Sequence, residues 1–235
     1  MQSTSQRNFI KSITNFLTGK SHKHTYGIFL FILLIILLCS YGYALWSFPG
    51  QYQFLRMSVS SLGNTLKNPI GHYFWRFGMV VAGIGIIPYI FFLFQQLRSI
   101  ARITTYIFTI ILIFSAIGVI GVGIFSEDSG IIHYLFAGLA FFGFFTAFSF
   151  NMYTLIKTIK DGKGWIKIWQ LVLIYLIADL VMLGFLTAFT FYWLYYFWKI
   201  FIFMMYLPLW EWLLLGSYIF YLYAIYLIFP KNSLN

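Results

Sequence analysis

The chain is divided into long apolar stretches, each of about 20 residues and so able to cross a hydrocarbon core of about 30 Å as a helix. Six are delimited, at roughly 26–48, 72–96, 103–125, 131–156, 166–190 and 208–229. The expectation is an all-α, polytopic membrane helix bundle with six transmembrane helices. Composition agrees: only 9% of residues are charged and 61% are hydrophobic. A soluble domain carries roughly 25% charged residues, and an exterior this apolar would lack polar cover.

The breaks between spans are chemically distinct. Pro49-Gly50 ends the first, Arg98 to Arg102 separates the second from the third, and Ser126 to Gly130 separates the third from the fourth. Lys157 to Lys167, with Asp161-Gly162 inside it, precedes the fifth. The first span is too long for a signal-peptide core and no small-x-small cleavage site follows it, so it reads as an uncleaved anchor. From Trp165 to Phe229 two readings stay open. One has two long helices joined by an aromatic interfacial segment, Phe191 to Leu207 with Lys199 in it; the other has three short helices, making seven spans. The domain plan is a basic cytoplasmic tail (1–25), a transmembrane domain (26–229) and a short cytoplasmic tail (230–235). In the first tail Phe9, Ile10, Ile13, Phe16 and Leu17 share a helical face. That pattern fits an amphipathic helix on the inner leaflet, with a disordered basic tail as the alternative.

The net charge of +10 does not imply nucleic acid, because its distribution follows the spans. With the N-terminus inside, the inner segments hold Arg7, Lys11, Lys20, Lys23, Arg98, Arg102, Lys157, Lys160, Lys163, Lys167 and Lys231. The outer ones hold Arg56, Lys67, Arg76 and Lys199, a positive-inside bias. The expected location is the cell membrane. The lone Cys39 lies within the first span, excluding a disulfide framework and a thiolate metal cluster.

This orientation gathers polar residues from distant positions at the outer face. The first outer loop contributes Arg56, Ser60, Lys67 and Asn68 and leads into His72 and Arg76, which share a helix face at a spacing of four. The second contributes Glu127, Asp128 and His133, and the last span begins near Glu211. His133 aligns with Ala137, Ala140 and Ala147, a small-residue stripe that turns it into the bundle. Arg76, lying deeper, requires a carboxylate from Glu127, Asp128 or Glu211. These types suit a headgroup pocket in which Arg56, Lys67 and Arg76 balance a phosphate. His72, His133, Glu127 and Asp128 are zinc-ligand types, but without an H-x-x-x-H or H-E-x-x-H pair no metal site is assigned. No G-x-S-x-G elbow marks a nucleophile, which leaves His133 with Glu127 or Asp128 as candidate catalytic groups. Asp179, near the middle of the fifth span, is an intramembrane carboxylate whose default reading is a relay, set against a structural hydrogen bond.

The elements Val59-Ser60-Ser61-Leu62-Gly63, Asn68-Pro69-Ile70-Gly71 and Gly123-Ile124-Phe125, with Glu127 and His133, carry a resemblance. The chain resembles an uncharacterised six-span prokaryotic family, known only as a domain of unknown function, over roughly residues 28–229. That family is similar to the eukaryotic FRAG/DRAM/Sfk group, whose first outer loop has a comparable Ser-x-x-Gly element. It departs at Trp75, where a small polar residue, usually Asn, is expected. The resemblance implies a membrane-embedded factor in lipid metabolism, including glycolipid-anchor maturation and lipid distribution. It marks Ser60, Gly63, Asn68, Pro69, Glu127 and His133 as positions to test.

The leading expectation is an outward-facing polar pocket that binds or organises lipid or glycolipid headgroups, without a cofactor. The rivals are a membrane lipid hydrolase using the same pocket, a structural subunit held by membrane protein partners, and an ion-coupled transporter resting on Asp179.

Overall fold

The computed structural model describes residues 4–160, 170, 173 and 207–228. Among these residues all regular structure is helical: α1 (Thr4–Leu17), α2 (Lys23–Trp46), α3 (His72–Leu97), α4 (Arg102–Ile124), α5 (Ile131–Lys160) and α6 (Leu207–Ile228). Two short 3-10 turns, Val59–Gly63 and Glu127–Ser129, lie in the connections. The five helices α2 to α6 are each long and apolar enough to cross a membrane. The protein is a membrane helix bundle. The expected span at 166–190, the aromatic segment 191–207, Lys199 and Asp179 lie outside the described residues.

Successive helices α2 to α5 run up and down, so the bundle has two ends. The loop end collects Trp46, His72, Ile124, Ile131 and Leu207, together with the connection from Ser47 to Gly71. The tail end collects α1, Lys23, Leu97, Arg102 and Lys160. Helix α4 is central, and its glycines allow its neighbours to approach closely. A side chain at Gly118 would meet the Ala140 backbone nitrogen on α5 at 2.5 Å, and one at Gly123 would meet the Arg76 carbonyl on α3 at 2.9 Å. Small residues let membrane helices come this close, where dispersion replaces a hydrophobic driving force that lipid cannot supply. Pro88 sits inside α3 without ending it.

Helix α6 is held by tyrosine hydroxyls that donate to backbone carbonyls of other helices. Tyr223 reaches Leu30 on α2 at 2.5 Å, and Tyr218 reaches Phe141 on α5 at 2.7 Å. From α3, Tyr89 reaches Leu222 on α6 at 2.9 Å. At the tail end the Tyr26 hydroxyl donates to the Phe16 carbonyl at 2.6 Å, and Gln95 Nε2 donates to the Thr18 carbonyl at 3.1 Å. Gly19, at a φ of 78°, lies directly against the Phe91 backbone. These contacts fix the turn after α1 to the bundle, while Phe9, Ile10, Ile13 and Leu17 of α1 remain exposed.

Candidate functional site

The loop end is built on the run from Ser58 to Gly71, which buries Val59 and Leu62 in an apolar cluster. Polar side chains close the rest of it. Ser58 caps the first 3-10 turn by accepting from the Ser61 amide. Asn64 Oδ1 accepts from the amides of Leu66 and Lys67 at 2.9 and 3.0 Å. Asn68 is fully buried; its Nδ2 donates to the Ala44 and Leu62 carbonyls at 2.9 and 3.0 Å, and its Oδ1 accepts from the Gly71 amide at 3.0 Å. One side-chain amide thus joins the end of α2, the 3-10 turn and the start of α3. The Asn68 carbonyl also accepts from His72 Nδ1 at 2.9 Å. His133 is likewise buried, and its Nδ1 lies 2.8 Å from the Phe125 carbonyl. A carbonyl can only accept, so each imidazole carries its proton on Nδ1 and ties a helix start to the preceding chain.

Next to these ties lies a lattice of opposite charges. Arg76, from the second turn of α3, donates through Nε to the Gly63 carbonyl at 3.1 Å and through Nη2 to Asp128 at 3.1 and 3.3 Å. It also donates to the Ser126 hydroxyl, which in turn donates to Asp128. Thr65 adds a bond to Asp128 at 2.8 Å. Lys67 pairs with Glu127 at 3.0 Å, and Asn64 Nδ2 donates to Glu127 at 3.2 Å. Partial burial alone would raise the Asp128 pKa; the hydrogen bonds from Ser126 and Thr65 and the Arg76 charge outweigh it and hold the group down at about 2. Of the three carboxylates proposed for Arg76, Asp128 is the partner.

Behind this lattice an apolar cavity of about 140 Å³ runs down the bundle interior. Its walls are residues such as Leu34, Met79, Ala82, Val119, Phe144 and Leu215, and its loop end carries Ser60, Tyr41, Trp75 and Glu211. Along α6 it extends from Glu211 to Tyr223, about 18 Å at 1.5 Å per residue. Trp75 occupies the position where a small polar residue was expected. Its ring is seated against Gly63, whose missing side chain leaves the space, and it forms part of the cavity wall.

A family model described as a protein of unknown function (DUF998) matches residues 25–227. The chain belongs to this family. No curated protein and no solved structure shows a detectable match.

The sequence-derived site residues of this family member divide into separate groups. Lys67, Arg76, Glu127 and Asp128 form the charge lattice. Asn68, His72 and His133 are ties between chain segments. Ser60 and Glu211 line the cavity, and Arg56 is exposed on the loop surface. Of the three cations expected to balance a phosphate, Lys67 is paired with Glu127 and Arg76 with Asp128. Among the described residues no three His, Cys, Asp or Glu side chains gather to hold a metal. His133 is oriented by a backbone carbonyl rather than by Glu127 or Asp128. Sequence reasoning passed over Thr65, Ser126 and Tyr41 as site residues and marked Trp75 only as the point where the resemblance departs. Nothing local marks Tyr41, which reaches the cavity only through helix packing.

Proposed function

We propose that this protein is a multi-pass cell-membrane protein of six spans, with its tail end cytoplasmic, that binds or organises lipid or glycolipid at its outward-facing loop end. The observation that carries this reading is the cavity: apolar along its walls, polar where it meets the loop end, and therefore amphipathic in the sense of a lipid. Its volume is close to the ~150 Å³ of an apolar cavity that holds benzene, which is room for a short apolar segment of a lipid rather than for a whole chain. The charge lattice then has a supporting role, holding the loop run over the mouth. The likeness of the Val59–Gly63 element to the first outer loop of the FRAG/DRAM/Sfk group lends the lipid reading support by analogy.

Native mass spectrometry from gentle detergent tests this. The wild type should carry a lipid adduct, and Ala82→Phe, which fills the cavity from α3, should lose it while melting at or above the wild-type temperature. An adduct unchanged in Ala82→Phe would remove the cavity as the binding site.

A further inference from the structure

Helix α1 meets the bundle through its last turn. Residues 5–14 are exposed along their whole run, and burial begins at Asn15. Phe16 stacks on Tyr26 with ring centroids 5.2 Å apart and meets Phe29 edge-on at 4.9 Å, both near the start of α2. At 100° per residue, Phe9, Ile10, Ile13, Phe16 and Leu17 occupy an arc of about 120°, and Arg7 and Lys11 lie outside it. Because Phe16 belongs to that arc, the arc is turned towards the spans, and Phe9, Ile10 and Ile13 continue it as exposed apolar surface. A helix of 14 residues is marginal in water by itself, so this arc needs cover.

The depth of the junction says what lies beside it. Gly19 is set against the backbone of Phe91, about 9 Å short of the end of α3 at Leu97. With 26 residues α3 is about 39 Å long, against a hydrocarbon core of about 30 Å. The turn after α1 therefore sits near the boundary of headgroups and acyl chains, the level at which amphipathic helices lie in a membrane surface. Cations surround it. Gln95 donates to the Thr18 carbonyl, and Arg98, three residues on, shares that face of α3 beside Lys20. Arg98 and Arg102, both exposed, line a common open cavity with Ser99 and Tyr106. The described part of the tail end holds eight lysines and arginines. Of the five acidic residues in the chain, Glu127, Asp128 and Glu211 stand at the loop end, so at most two side-chain carboxylates, Asp161 and Asp179, could offset them. The excess stays at six positive charges or more.

A soluble polyanion would answer this charge but leave the apolar arc uncovered; a bilayer surface with anionic headgroups answers both. We propose that the tail end is a docking face for anionic phospholipid. Helix α1 lies along the surface with its arc among the acyl chains, and Arg7, Lys11, Lys20, Arg98 and Arg102 gather the net-anionic headgroups around it. This face is at the opposite end of the bundle from the Glu211 mouth and does not depend on a lipid in the cavity.

The test uses the full-length chain in a Cys39→Ser background, one copy per nanodisc. An environment-sensitive fluorophore is placed at Ile13→Cys on the arc or at Asn8→Cys outside it. The discs contain phosphatidylcholine alone or phosphatidylcholine with phosphatidylglycerol, and acrylamide, a neutral quencher, reports exposure to water. In the anionic discs the Ile13 label should be shielded while the Asn8 label stays quenchable. Lys11→Gln and Arg98→Gln should each lower the docked-to-undocked ratio there about 5-fold, the factor set by ~1 kcal/mol per basic residue near such a surface, and change it little in neutral discs. Added salt should act in the same direction. Equal shielding of the Ile13 label in both lipids would overturn the anionic assignment. A label quenchable in both would overturn the docking, and shielding gained only with two copies per disc would give the arc to a second copy of the chain. None of these results alters the adduct test of the cavity with Ala82→Phe, so the two readings fail separately.

Discussion

Asn68 is small, yet three backbone segments depend on its side chain. Removing the amide leaves two carbonyls and one N–H in a buried setting without partners, and each such group costs about 1–3 kcal/mol. Asn68→Ala should therefore lower stability in detergent by about 3 kcal/mol or more, read from thermal or denaturant unfolding. Asn68→Asp should be no better, because a carboxylate cannot donate to Ala44 and Leu62. A wild-type midpoint in both variants would show that the loop end is held by something else. Asp128 acts in a different way. Its folded pKa lies below that of a free aspartate, so its contribution is complete above about pH 4 and is lost as the pH falls towards about 2. Asp128→Asn should melt below the wild type at neutral pH, and its melting temperature should fall less steeply across that acid window. Parallel acid limbs for the two proteins would contradict the assignment.

At the scale of the elements, the contacts of α4 depend on absent side chains. A Cβ at Gly118 meets backbone atoms of α5, Ala140 N at 2.5 Å and the Phe136 carbonyl at 2.9 Å, and neither can rotate away. Gly118→Val should force the helices apart and cost about 1–3 kcal/mol or more in detergent unfolding. Gly42 on α2 has nothing within 4 Å of its would-be Cβ, so Gly42→Ala should be neutral or stabilise by up to about 1 kcal/mol through helix propensity. Equal effects at the two positions would mean that Gly118 does not set the spacing. The five described spans were legible in the sequence because each is a continuous apolar run ended by Pro-Gly, charge or a polar turn. The positions of His72 and His133 were legible from helical spacing, and both are buried. The pairing of Arg76 with Asp128 rather than Glu127 was not, since it depends on how the turn Glu127–Ser129 meets Thr65. The cavity was illegible for a similar reason: its lining is shared by five of the described helices, and no local pattern marks a side chain such as Ala82 or Leu215 as wall rather than core.

For the whole molecule, what remains is which end faces the cytoplasm, and charge supplies the argument. Among the described residues the tail end carries Arg7, Lys11, Lys20, Lys23, Arg98, Arg102, Lys157 and Lys160, with α1 presenting an apolar face beside them. The loop end carries Arg56, Lys67 and Arg76, two of them in ion pairs with Glu127 and Asp128. Lysines and arginines resist translocation and are drawn to the anionic inner leaflet, where the exposed Phe9, Ile10 and Ile13 of α1 can also be buried. Both effects support the proposal that the tail end lies inside and that the Glu211 mouth opens towards the outer leaflet. Cys39 is exposed on α2, so a Cys39→Ser background is needed for cysteine mapping. In that background Arg56→Cys should react with a membrane-impermeant maleimide on intact cells, whereas Lys11→Cys should react only after permeabilisation. The reverse labelling would put the mouth in the cytoplasmic leaflet, and the lipids competing for it would then be those of the inner surface.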